Sequence, residues 1–109
     1  MSMCAEERGQ GGILLVEDEE MARSSLSRML SMKFPETRLY TAENGRSGLE
    51  LFHSHRPQVV ITDINMPQLS GIEMARAIRK ESCQVQIVVL SAHSELQYLQ
   101  AVVERCLRD

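Results

Sequence analysis

Three carboxylates stand where chemistry is expected. Glu17 and Asp18 follow the apolar run Ile13-Leu14-Leu15-Val16, and Asp63 follows Val59-Val60-Ile61-Thr62. Both runs are apolar on consecutive positions, the pattern of parallel strands covered by helices on both faces. In an open parallel sheet the ligand crevice lies beyond the carboxyl ends of the strands, where strand order reverses. All three acidic residues therefore border one crevice. Two like charges about 4 Å apart, at an effective dielectric near 20, repel by about 4 kcal/mol, so carboxylates gathered there need a counter-charge or must take up protons. A divalent cation supplies that charge, and an oxygen-only donor set with a partly open shell favours Mg2+. Beside such an ion a carboxylate can attack an incoming phosphoryl group and form an acyl phosphate, which makes Asp63 the candidate nucleophile. Acidic residues at strand ends also cap the following helix or stay solvated, and position alone leaves that reading open.

The elements that must place these groups alternate along the chain. Ile87-Val88-Val89-Leu90 forms a third strongly apolar strand, and Arg38 to Ala42 a weaker one. Between the strands, apolar residues recur at helical spacing: Ala22, Leu26, Met29 and Leu30; Gly48, Leu49 and Phe52; Ile72, Ala75 and Ile78; and Leu96, Leu99, Val103 and Cys106. Four crossover helices and a parallel α/β sheet are expected. Pro35 ends the first helix region, Pro57 precedes the third strand, and Gly71 stands where the third helix begins. Residues 1–12 are polar, with Gly9, Gly11 and Gly12, and read as a flexible leader, so the folded domain is expected over 13–109.

Composition bounds the function. A chain of 109 residues with 43% hydrophobic content supports one modest core. The formal charge is -3, so there is no basic excess to neutralise a nucleic-acid backbone, and no direct nucleic-acid binding by this segment is expected. No apolar run reaches the length of a membrane span, and a cytoplasmic protein is expected. Cys4, Cys83 and Cys106 are odd in number and share no close spacing, which reads as reduced thiols. His53, His55 and His93 show no metal spacing; the first two are placed at the exposed end of the second helix, and none is assigned catalysis.

The string Ile-Leu-Leu-Val-Glu-Asp-Glu over 13–19, the string Thr-Asp-Ile-Asn-Met-Pro-Gln-Leu-Ser-Gly-Ile-Glu over 62–73, and Ser91-Ala92 after an apolar strand closely resemble response-regulator receiver domains. The resemblance covers nearly everything from Ile13 to Asp109. It implies a flavodoxin-like doubly wound parallel sheet of family order 2-1-3-4-5. It implies Asp63 as phospho-acceptor, Asp18 as a direct Mg2+ ligand, Glu17 as a ligand directly or through water, and the backbone carbonyl of Asn65 as a further ligand. Ser91 corresponds to the hydroxyl that hydrogen-bonds the phosphoryl oxygens and shifts the fourth-helix surface, although a serine at a strand end can also simply cap a helix. Met66-Pro67 and Gly71 shape the loop after the acceptor. The implied partners are a sensor histidine kinase and an output domain or partner protein.

Family members usually continue into a fifth strand carrying an aromatic residue and then a Lys-Pro pair, whereas this sequence ends at Asp109. The expectation is a receiver lacking the fifth strand and last helix, with Ile87 to Leu90 as a bare edge that offers a route to a homodimer. Two other functions compete. A receiver-like interaction module independent of phosphate would explain the missing lysine. A phosphatase of the haloacid dehalogenase type would need a second Asp two residues after the nucleophile; Asn65 stands there, with Pro67 in place of that family's Thr, so its general acid is absent. A covalently modified signalling module, not an enzyme, is expected.

Overall fold

The computed structural model describes residues 12–63, 71–81, 85–90, 101 and 103–105. The elements run β1 (Ile13–Val16), α1 (Glu20–Lys33), β2 (Leu39–Ala42), α2 (Gly45–His55), β3 (Val59–Asp63), α3 (Gly71–Glu81) and β4 (Gln86–Leu90). The four strands are parallel in the order β2-β1-β3-β4. This is the flavodoxin-like arrangement expected from the alternating strands and helices, within a residue or so at each strand end. Among the described strands β4 stands at an edge.

Every residue of β1 is buried, as are Val59 to Thr62 of β3. Their side chains alternate between two cores. Ile13, Leu15, Val59, Ile61 and Leu90 pack with Leu26 and Leu30 of α1. Leu14, Val16, Val60 and Val85 pack with Phe52 of α2 and with Met74 and Ile78 of α3. Consecutive apolar residues are needed because both sheet faces are dry.

The helices mostly bury the faces their spacing predicts. Leu26 and Leu30 are buried on α1, and Gly48 and Phe52 on α2. In α3 the stripe differs from the expected Ile72, Ala75 and Ile78. Met74 and Ile78 are fully buried, Ala75 is half-buried, and Ile72 remains 45% exposed at the first turn. The contact with α2 sets that rotation. A Cβ added to Gly48 would lie 2.8 Å from Met74 Sδ and 2.9 Å from Val16 Cγ2, so α2 approaches β1 and α3 at a distance that only glycine permits.

The helix ends agree with the breakers. Asn44 caps α2 by accepting the Ser47 backbone N–H at 2.8 Å, and Arg56 closes it in the left-handed conformation, φ 48°, just before Pro57. His53 is exposed and pairs with Glu81 at 2.8 Å, which joins the ends of α2 and α3. His55 departs from its expected exposed position. It is half-buried, stacked on Tyr40 with ring centroids 4.2 Å apart. The apolar ring face of Tyr40 is the reason, since covering it removes both rings from water.

Replacing Gly48 by valine is expected to lower stability by about 1–3 kcal/mol, because strand residue Val16 cannot move aside as a flexible side chain could. Urea unfolding would show this as a lower midpoint with an unchanged slope.

Candidate functional site

Register brings the acidic residues together. Val16 of β1 pairs with Thr62 of β3, so the next residue on each strand, Glu17 and Asp63, meet at the carboxyl edge. Asp18 follows in the loop to α1. One carboxylate oxygen from each of Glu17, Asp18 and Asp63 lies within 4.8 Å of the others. Glu17 is buried, Asp63 half-buried and Asp18 exposed, so the cluster runs from the protein interior to solvent.

The surrounding chain fixes Glu17 tightly. Its N–H donates to the Ala42 carbonyl at 3.0 Å, which extends the β1–β2 ladder by one residue. Its side-chain Oε2 accepts the Glu19 N–H at 3.2 Å, and its carbonyl accepts Arg23 Nη1 at 3.0 Å. A buried carboxylate is costly without such partners. Beside Asp63, the Thr62 hydroxyl donates to the Asp63 carbonyl at 3.0 Å. Arg23 was missed in the sequence reading. It stands six residues after Glu17 among ordinary helix-surface residues, and no spacing rule singles it out.

Asn65 and Ser91, together with Met66, Pro67 and His93, lie outside the described residues. The nearest described neighbour of Ser91 is Leu90, the register partner of Asp63. His53 and His55 end α2 and are not part of the acidic cluster.

The donor set fits a hard divalent cation. All donors are carboxylate oxygens, one is buried and held in place, and one is open to solvent, so an ion could keep water as a remaining ligand. Such a position, at the carboxyl ends of β1 and β3 where strand order reverses, is the ligand crevice of a doubly wound sheet.

The response regulator receiver domain model matches residues 13–109. The chain belongs to this family. As a receiver domain of a two-component response regulator, it is similar to an uncharacterized response regulatory protein of Staphylococcus epidermidis, 33% identical over 98 residues. That match takes in 89% of this chain and 38% of the relative. It is also similar to the transcriptional regulatory protein DegU of Brevibacillus brevis, 31% identical over 84% of this chain and 39% of that one. The receiver thus spans about two fifths of these curated relatives. Among solved structures, the N-terminal domain of an uncharacterized protein from Wolinella succinogenes matches with TM-score 0.69 and 40% identity, over 86% of this chain and 74% of that one. A chain in the crystal structure of histidine kinase ThkA in complex with response regulator TrrA matches with TM-score 0.75 and 31% identity, over 89% of this receiver and 98% of that chain. No described helix is long and apolar enough to cross a membrane.

Clustered like charges make a checkable demand. Asp18→Asn is expected to raise stability in metal-free buffer, by about 1 kcal/mol or less given the exposure of Asp18, and the gain should shrink as salt screens the repulsion. Thermal melts of both proteins at low and high ionic strength would test it.

Proposed function

We propose that this receiver takes a phosphoryl group on Asp63 from a sensor histidine kinase, with Mg2+ held at the acidic cluster. The observation that carries the reading is the gathering of Glu17, Asp18 and Asp63 within 4.8 Å at the carboxyl edge of a chain whose family is established. A carboxylate oxygen of Asp63 attacks the phosphorus. The new O–P bond forms as the P–N bond of the donor's phosphohistidine breaks, and the departing imidazole nitrogen keeps the electron pair. The product is an acyl phosphate on Asp63. Half-burial suits this role, since Asp63 is reachable from the crevice yet held at the end of a buried strand.

Asp18 and Asp63 would hold the ion directly, Glu17 directly or through water, and the Asn65 carbonyl would add a fourth protein oxygen. When bound, the ion neutralises charge on the three carboxylates and on the transferred oxygens. Glu17 acts mainly by position, because its carboxylate is fixed by the Glu19 N–H and its backbone by Ala42 and Arg23. Ser91 follows the register partner of Asp63 in sequence, a place from which its hydroxyl would hydrogen-bond the phosphoryl oxygens and carry the change to the fourth-helix surface. The domain assigned to this work is 13–109, in the cytoplasm, acting on an output domain or partner protein and without nucleic-acid contact of its own. The kinase complex among the similar structures supports the choice of donor.

Incubating the chain with acetyl phosphate and Mg2+ is expected to give one phosphoryl adduct by intact mass, absent from Asp63→Ala and from metal-free controls. A folded wild-type chain that gains no adduct would leave a phosphate-independent interaction module as the better reading. Glu17→Gln is expected to raise the Mg2+ concentration needed for half-maximal labelling by about tenfold or more, as loss of an orienting group at a metal site does. Labelling yield against Mg2+ concentration measures that shift.

A further inference from the structure

Asp18 is the one clustered carboxylate that no strand holds. Glu17 directly follows β1 and Asp63 ends β3, whereas Asp18 is exposed in the connection 17–19 that leads into α1. Its direction is set by the peptides on either side. A peptide unit is planar, so a residue turns only about the two bonds that join it to the neighbouring planes, and fixing both planes fixes where its side chain leaves the backbone. Each plane beside Asp18 carries a tether. In the plane after it, the Glu19 N–H donates to Glu17 Oε2 at 3.2 Å. In the plane before it, the Glu17 carbonyl accepts Arg23 Nη1 at 3.0 Å.

Arg23 ties down the chain on both sides of Asp18. It is half-buried in the first turn of α1, and its backbone N–H donates to the Glu19 carbonyl at 2.9 Å while its side chain reaches the Glu17 carbonyl. A hydrogen bond from a guanidinium is charge-assisted and stronger than one between neutral groups. The two tethers differ in what they use. The bond to the Glu19 N–H draws on a carboxylate oxygen of the cluster, whereas the Arg23 bond ends on a backbone carbonyl and takes no carboxylate oxygen away from an ion.

We propose that Arg23 is a positioning residue of the cation site: by holding the Glu17–Asp18 peptide it aims Asp18 into the cluster and raises the affinity of the cluster for Mg2+. This rests on the reading of Glu17, Asp18 and Asp63 as a Mg2+ site. The proposal has a sign that charge alone does not share. A guanidinium beside three carboxylates lowers the attraction for a second cation, so as a point charge Arg23 weakens Mg2+ binding, and its removal would tighten it. As a tether it strengthens binding, and its removal loosens it.

Titrating Mg2+ into the full chain without any phosphoryl donor, followed by backbone amide NMR, gives the dissociation constant directly. Arg23→Met keeps a long, helix-favouring stem but loses the donor and the charge. It is expected to raise the Mg2+ dissociation constant by about tenfold, the low end for an orienting group that does not itself touch the metal. At saturating Mg2+ its labelling by acetyl phosphate should return to the wild-type rate. In an Asp18→Asn background the same change should add nothing, because Arg23 acts through Asp18. If Arg23→Met does not melt cooperatively, Arg23→Gln, with a shorter polar side chain, carries the same comparison. An unchanged or lower dissociation constant in a folded variant would overturn the proposal, and so would a full further loss in the Asp18→Asn background. A lower melting temperature with an unchanged Mg2+ midpoint would leave Arg23 a purely structural role. A folded wild-type chain that neither shifts with Mg2+ nor gains an adduct removes the cation site itself, and the proposal with it; loss confined to the Arg23 comparison leaves that site standing.

Discussion

Glu17 and Asp63 stand side by side because Val16 pairs with Thr62, and neither strand has room to slip. A one-residue slip would turn Leu14 and Val16 into the core that now holds Ile13 and Leu15, and would misplace both packing surfaces. The like-charged cluster is thus held by apolar packing several residues away. Burial of β1 and β3 on two faces supplies the stabilisation, and the carboxylates at the strand ends draw on it.

The helices make that register rigid. Gly48 lets α2 approach Val16 and Met74 closely, so the second face is packed across three elements at once. On the first face, Leu26 and Leu30 fix α1, and Arg23 from its first turn reaches back to the Glu17 carbonyl. The same helix therefore covers the core and steadies the loop that carries Glu17 and Asp18. Surface ties such as His53 with Glu81 add little by comparison, since exposed ion pairs contribute about 0–1 kcal/mol.

The two faces are unequal at β4. Leu90 is covered and Val89 is open, although the two residues are neighbours in one apolar strand. Family membership and the similar solved structures account for the sheet order and the acidic crevice. Val103 is buried in the same cluster as Leu90, and the unevenly covered strand β4 pairs with the strand that ends in Asp63.

Much of this was legible in the sequence. Runs such as Ile13 to Val16 have the pattern of strands buried on both faces, and an acidic residue directly after such a strand emerges at its carboxyl edge, so the meeting of Glu17, Asp18 and Asp63 there was expected from the sequence. Local periodicity was a weaker guide where neighbours decide orientation. It assigned Ile72 to the core of α3, whereas close approach at Gly48 turned Met74 inward. It gave no sign that Arg23 would reach the Glu17 carbonyl or that His55 would stack on Tyr40, because both contacts join residues through space across a turn or an element. An apolar stripe around Val103 marks a helix that needs a surface, but both faces of a parallel sheet are apolar. Only tertiary packing decided which one it met.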